Sequence, residues 1–148
     1  MVWVAEQAVA HSEDCALTVI EARRRPWTIS AAADSSPRVD ELQYQAGKGP
    51  CLSASKSADF VRVDDLAHDQ RWPGFAARCV QVTGVRSMLG VRVPLNGADT
   101  AALNFYSRTP AAFDDLDIGV GAILAPFAAL ALQTVLHRQQ TVNLEAAL

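Results

Sequence analysis

The chain has 148 residues, half of them hydrophobic, with 13 basic against 16 acidic side chains and a net charge of −3. That is the length of one domain able to bury a sizeable core, and its basic residues form no stripe of the kind nucleic acid requires; the densest run, Arg23-Arg24-Arg25 before Pro26, reads as a solvated hairpin tip. Cys15, Cys51 and Cys79 are widely spaced and form no CxxC pair, which excludes a zinc ribbon or thioredoxin-type motif and makes a reducing cytoplasm the default; the opening MVWVAEQAVA is no signal peptide.

Residues 1–10 predict a helix with Val2, Ala5 and Val9 on related faces. Residues 15–25 and 27–33 predict two strands joined at Arg25-Pro26. Ser36 is a fair N-cap with Pro37 at the first helical position, so a helix runs to about Ala46, where Gly47 is a natural stop. Pro50 opens a further short helix. FVRVDDL (60–66) predicts a strand, and 72–83 a helix with Pro73 in its first turn and Gly84 at its end. RSMLGVRVPL (86–95) and AALNFYS (101–107) flank Asn96-Gly97, a hairpin signal because both turn residues accept positive φ. A long helix follows from about Asp115 to the end.

Within that helix, Ile118 to Leu136 carries no charge. The length approaches a membrane span, but the segment is Ala- and Gly-rich, holds Pro126, Gln133 and Thr134, and follows Asp114, Asp115 and Asp117. The expected disposition is a helix packed on a sheet along one side and on a partner subunit along the other, with no membrane. Val120, Ile123, Leu124, Phe127 and Leu130 form a stripe expected to meet the sheet. Ala122, Ala125 and Ala129 suit close approach of a second helix, so they are the candidate dimer residues. Pro126 is expected to kink the helix or mark a late start.

The stretch YQAGKGPCLSAS (44–55) looks at first like a phosphate cradle. It lacks the closing Ser or Thr of a P-loop and follows a helix, so it reads instead as helix, glycine cap, turn, helix. Cys51 then lies near a helix N-terminus, where the dipole favours a thiolate, although a free cysteine is ordinarily a small buried hydrophobe. His11, His68 and His137 are scattered without ligand spacing, and neither metal nor haem is expected. Asp64, Asp65 and Asp69 are explained by capping and loop solvation.

QYQAGKGPCLSA, VDDLAHDQRWPGFA, GVRSMLGVRVPL and AALNFYS occur in this order at family-like distances. Together they resemble GAF domains, most closely those that precede an ANTAR RNA-binding domain in actinobacterial antiterminators, over roughly residues 15–148. The resemblance implies an α+β fold with a central antiparallel sheet of about six strands. The N- and C-terminal helices (1–12 and 114–148) lie on one face, and helices on the other roof a ligand pocket. It also implies a sensory, non-catalytic role in transcription control. The chain ends at VNLEAAL, where an ANTAR part would begin, so the chain itself is expected to bind no nucleic acid.

Strand alternation puts Leu89, Val91, Val93 and Leu95 on one face with Leu103 and Phe105, and Met88, Gly90, Arg92 and Pro94 on the other with Asn104 and Tyr106. The aliphatic face should pack on the terminal helices. Met88, Asn104 and Tyr106 are then candidate pocket residues for an unidentified small molecule, roofed by Tyr44, Cys51, Leu52, Trp72 and Phe75. Trp72 and Phe75 at helical spacing also suit an ordinary core. Free methionine-(R)-sulfoxide reductases share this fold, and Cys51 and Cys79 resemble their catalytic and resolving thiols. The positions resembling their substrate-holding acids are Met88, Asn104 and Tyr106, none acidic. The expectation is therefore a dimeric sensor, with a thiol enzyme and a ligand-free dimerisation module as alternatives.

Overall fold

The computed structural model describes residues 2–21, 25–30, 35–56 and 58–148, without the side chains of residues 2, 3, 29, 30, 35 and 36. The expected tip at Arg23-Arg24 lies outside the described residues. The chain runs α1 (Val2–Ala8), β1 (Asp14–Ile20), β2 (Trp27–Ser30), α2 (Ser35–Ala46), α3 (Pro50–Lys56), β3 (Phe60–Val63), α4 (Pro73–Thr83), β4 (Ser87–Val93), β5 (Thr100–Ser107) and α5 (Asp115–Ala147). The strands form one antiparallel sheet in the order β2-β1-β5-β4-β3. Five strands are described where about six were expected.

The β4–β5 hairpin forms in a register that pairs Gly90 with Asn104 and Met88 with Tyr106. Its connection differs from the two-residue turn that Asn96-Gly97 suggests. Residues 94–99 make a longer loop, and only Gly97 takes positive φ (75°). Ends of α2 and α4 follow the expected glycines, Gly47 at φ 67° and Gly84 at φ 74°.

Each side of the sheet carries its own core. On one side Leu17, Val19, Leu89, Val91, Leu103 and Phe105 pack with Ala5 and Val9 of α1 and with α5. On the other, Ala16, Val61, Val63, Met88, Ala102 and Tyr106 pack with Val39, Cys51, Phe75 and Cys79 of α2, α3 and α4. The expected division of faces is present, terminal helices on the aliphatic face and connecting helices opposite.

The long helix α5 is continuous through Pro126 and starts on a capping box, in which the Asp114 carboxylate accepts from Asp117 N at 3.0 Å and Asp117 from Asp114 N at 2.9 Å. Its orientation reverses the expectation. Gly121, Ala125, Ala128, Ala129, Leu132 and Leu136 are the buried side. Ile123 (68% exposed), Phe127 (59%) and Leu130 (65%) face outward with Leu116 (75%); only Val120 and Leu124 of the expected stripe are partly covered by the sheet-side core. The reason is distance. A Cβ on Gly121 would lie 2.8 Å from Val91 Cγ2, so the helix backbone sits too close to β4 for a large side chain between them. Ala125 and Ala129 are therefore core residues of this chain and not dimer contacts, while Ala122 is exposed.

Candidate functional site

The face roofed by α2 and α3 contains a buried polar cluster. On α2, Asp40, Gln43 and Tyr44 stand at i, i+3 and i+4 and so share one side, directed at the sheet. Asp40 is fully buried, and its carboxylate accepts from partners on four segments of chain. Tyr106 Oη (β5) donates to Oδ1 at 2.5 Å and Gln43 Nε2 at 3.3 Å; Thr28 Oγ1 (β2) donates to Oδ2 at 2.8 Å and Thr18 Oγ1 (β1) at 3.3 Å. Because the Thr28 proton is committed to Asp40, the hydrogen bond between Thr28 and Tyr44 is donated by the tyrosine.

The Gly-Lys-Gly-Pro stretch closes this cluster from outside. Gln43 Oε1 accepts Cys51 N at 2.9 Å, tying α2 to the first turn of α3. Gly49 permits it, since a Cβ there would fall 2.3 Å from that same oxygen. The cysteine sulfur lies 3.6 Å from Tyr106 Oη. At the far end Asn104 Nδ2 donates to Thr18 Oγ1 at 2.7 Å. Asn104 Oδ1 is, among the described residues, the buried side-chain polar atom with no hydrogen-bond partner. It lies beside Gly90, where a Cβ would be 3.4 Å from Oδ1 and 3.1 Å from Ala54 Cβ.

Burial, opposed by its hydroxyl donors, raises Asp40 from 3.8 to about 6. Burial also raises the Cys51 thiol and the Tyr106 hydroxyl well above their ordinary values, the Asp40 charge adding to both. It raises Tyr44 as well, and brings Cys79 to about 11. Both thiols are thus held protonated, contrary to what the dipole of an exposed helix end would do.

Of the residues expected to line a site, Tyr44, Cys51, Asn104 and Tyr106 come together here. Phe75 and Met88 belong to the apolar core beside it. Leu52 and Trp72 lie at a separate surface groove of about 280 Å³ shared with Lys48, Lys56 and Arg71. A second cleft, of about 400 Å³, opens outside Thr28 and Tyr44 between Trp27 and Glu41. Asp40, Gln43, Thr18 and Thr28 were not anticipated from the sequence. The available signal was the VDELQYQ pattern, in which Asp40 and Gln43 share the inward side with Val39 and Leu42.

The acidic loop after β3 is a structural brace held by arginines, where capping and solvation were expected. Asp65 takes a two-pronged bond from Arg86 at 2.7 Å per contact, which holds its carboxyl well below the ordinary range, and Asp69 is held by Arg71 at 2.6 Å. His68 is exposed and pairs with Asp65 at 2.9 Å.

A family model described as GAF domain matches residues 1–133, and the chain belongs to that family. Solved structures share the fold at low identity. A domain of a putative two-component sensor histidine kinase from Sinorhizobium meliloti superposes with TM-score 0.71 at 13% identity, covering 95% of this chain and 92% of that one. The GAF domain of the cyanobacteriochrome TePixJ gives 0.67 at 14%, covering 90% and 84%. A type II free methionine-R-sulfoxide reductase from Thermoplasma acidophilum gives 0.62 at 17%, covering 86% and 84%. No curated protein matches the chain in sequence.

Proposed function

We propose that the chain is a small-molecule-sensing GAF module, that its ligand binds at the Asp40–Asn104 cluster beneath α2 and α3, and that occupancy is read out through α5. The observation that carries this reading is the unpartnered Asn104 oxygen. Leaving a buried acceptor unsatisfied costs about 1–3 kcal/mol, so a group kept in that state is completed by a water or a ligand atom, and we read a ligand here. The readout follows from β5, whose Asn104 and Tyr106 face the cluster while Leu103 and Phe105 face the helix. We read the outward stripe of α5 as a homodimer face. Leu116, Ile123, Leu130, His137 and Leu144 recur every seventh residue, and Phe127, Thr134 and Thr141 follow four residues after three of them. The four motifs of the sequence support placing the module in a cytoplasmic, antitermination-type regulator.

A reductase-type reading has Cys51 and Cys79 in one apolar cluster in its favour. Against it, burial keeps both thiols protonated, so we read the module as non-catalytic. Native mass spectrometry of the purified chain tests the ligand. A mass excess that leaves on unfolding, and is absent from Asn104→Ala, supports the site; an excess that Asn104→Ala retains places the ligand elsewhere. A clean dimer without excess supports a dimerisation module instead.

A further inference from the structure

The cluster has a direction. A carboxylate only accepts, so Thr18 spends its single proton on Asp40 Oδ2. Thr18 Oγ1 is then left as an acceptor, and only the NH2 end of the Asn104 amide can face it, at 2.7 Å. The amide oxygen is forced to the opposite side, over Gly90. The orphan acceptor is thus a consequence of charge two hydrogen bonds away.

We propose that Asp40 sets, through Thr18, which chemical group the site takes at Asn104: with the carboxylate ionised the amide presents its oxygen and takes an N–H or O–H donor such as an amine, and with the carboxyl protonated the amide turns over and takes an acceptor. The proposal rests on reading this cluster as the ligand site. Protonation reverses the chain because the Thr18 bond, at 3.3 Å, is the longest of the hydroxyl bonds to Asp40. Asp40 Oδ2 then donates to Thr18, whose proton swings to Asn104 and requires Oδ1 there. The amide makes a half turn, and its NH2 takes the place of Oδ1 beside Gly90. No bond to carbon, nitrogen or sulfur forms or breaks; one proton is gained from solvent and the others change partners.

Among the groups around it, Asp40 is the carboxyl raised toward neutrality. Facing or acting on it are Tyr44 of α2, Asp14 and Cys15 of β1, Cys51 of α3, Cys79 of α4 and Tyr106 of β5. Asp14 pushes it in the same direction as burial does. Every one of the thiols and phenols is raised away from neutrality by burial. No arginine, lysine or histidine among the described residues is bonded to it. The parallel branch, Tyr44 to Thr28 to Asp40, ends at the surface cleft and supplies a control.

The test uses isotope-labelled, ligand-free protein followed by NMR from roughly pH 8 to about pH 4.5. The Asp40 carboxyl carbon and the Asn104 side-chain NH2 should move with one midpoint, near 6. NOEs from that NH2 to the Ala54 methyl and the Gly90 Hα should appear only on the acid side. In Thr18→Val, Asp40 should still titrate while Asn104 stops following, and in Thr28→Val both should still move together. An Asn104 NH2 whose NOEs ignore pH while Asp40 titrates would overturn the proposal, in the natural chain alone if a variant fails to fold. So would an Asp40 carboxyl that titrates in the ordinary range. Methylammonium chloride and sodium nitrate then probe the ligand class: the first should shift Asn104 and Ala54 signals on the alkaline side only, the second on the acid side only. A pH-driven flip with no response to either probe would sink the ligand-site reading and leave the relay standing. Equal response to both probes at both extremes would overturn the relay's control of specificity.

Discussion

Asp40→Asn removes the buried charge while keeping the side-chain shape. An aspartate that titrates at 3.8 when unfolded and near 6 when folded binds its proton more tightly in the folded state. Its contribution to stability is therefore full below about pH 3.8 and is lost as pH rises to about 6. At about 1.4 kcal/mol for each pH unit between those values, the ionised carboxylate costs about 3 kcal/mol at neutral pH relative to the protonated form. Asparagine has no proton to titrate and lacks this slope. The difference in unfolding free energy, variant minus natural chain, should rise by about 3 kcal/mol between roughly pH 3.5 and 6.5 and then level off. The absolute offset is less informative, because the amide also changes the bonds to Thr18 and Thr28. Urea unfolding followed by tryptophan fluorescence at a series of pH values measures the difference directly. By heating, the same change is roughly 6–12 °C in Tm for a chain of this length. Parallel curves for the two proteins across that range would refute the reasoning, since they would mean that Asp40 is hydrated and titrates normally.

Three further outcomes follow from named contacts. Leu132→Ala should cost about 2–5 kcal/mol in denaturant unfolding, as a buried leucine beneath the sheet, whereas Leu130→Ala, two residues away and exposed, should stay within about 0.5 kcal/mol in the monomer. Phe127→Glu should leave the circular dichroism spectrum unchanged and convert a dimer to a monomer in light scattering; a dimer that persists would remove this face of α5 from the interface. Cys51 and Cys79 should resist a thiol reagent such as DTNB at mildly alkaline pH until the protein unfolds, and rapid labelling of Cys51 would restore the thiol-enzyme reading.

What was legible in the sequence was the pattern that depends on period. Alternation in 86–107 identified both faces of the hairpin, and the glycines at 47 and 84 located two helix ends through their positive φ. The cluster was half legible. Asn104 and Tyr106 lie on a hairpin whose faces alternation assigns, while Tyr44 and Cys51 were placed by the family resemblance, which puts helices over the pocket. Asp40 was not, because a charged residue in an amphipathic helix normally marks the solvated side. Only the tertiary arrangement, with two threonines from neighbouring strands, makes its burial tenable. The orientation of α5 failed for the opposite reason. A rule that turns the largest side chains inward assumes an ordinary spacing between helix and sheet, and the Gly121 backbone lies too close to Val91 for that rule to hold.

That close seat matters for the proposed signal. On the site side of the sheet there is less than a methyl group's room between Gly90 and α3, since a Cβ there would lie 3.1 Å from Ala54 Cβ, so a donor arriving at the proposed site would have to move α3 or press on β4 and β5. The opposite side is at least as tight, because Leu103 and Phe105 are fully buried against α5 and a Cβ on Gly121 would lie 2.8 Å from Val91 Cγ2. Close-packed interiors transmit displacement instead of absorbing it. In the proposed readout, pressure on β5 at Asn104 would therefore move the helix as a body, and the outward Ile123, Phe127 and Leu130 with it. A helix seated on large, flexible side chains opposite the site would damp such a displacement, whereas the Gly121 and Ala125 stretch of α5 would pass it on.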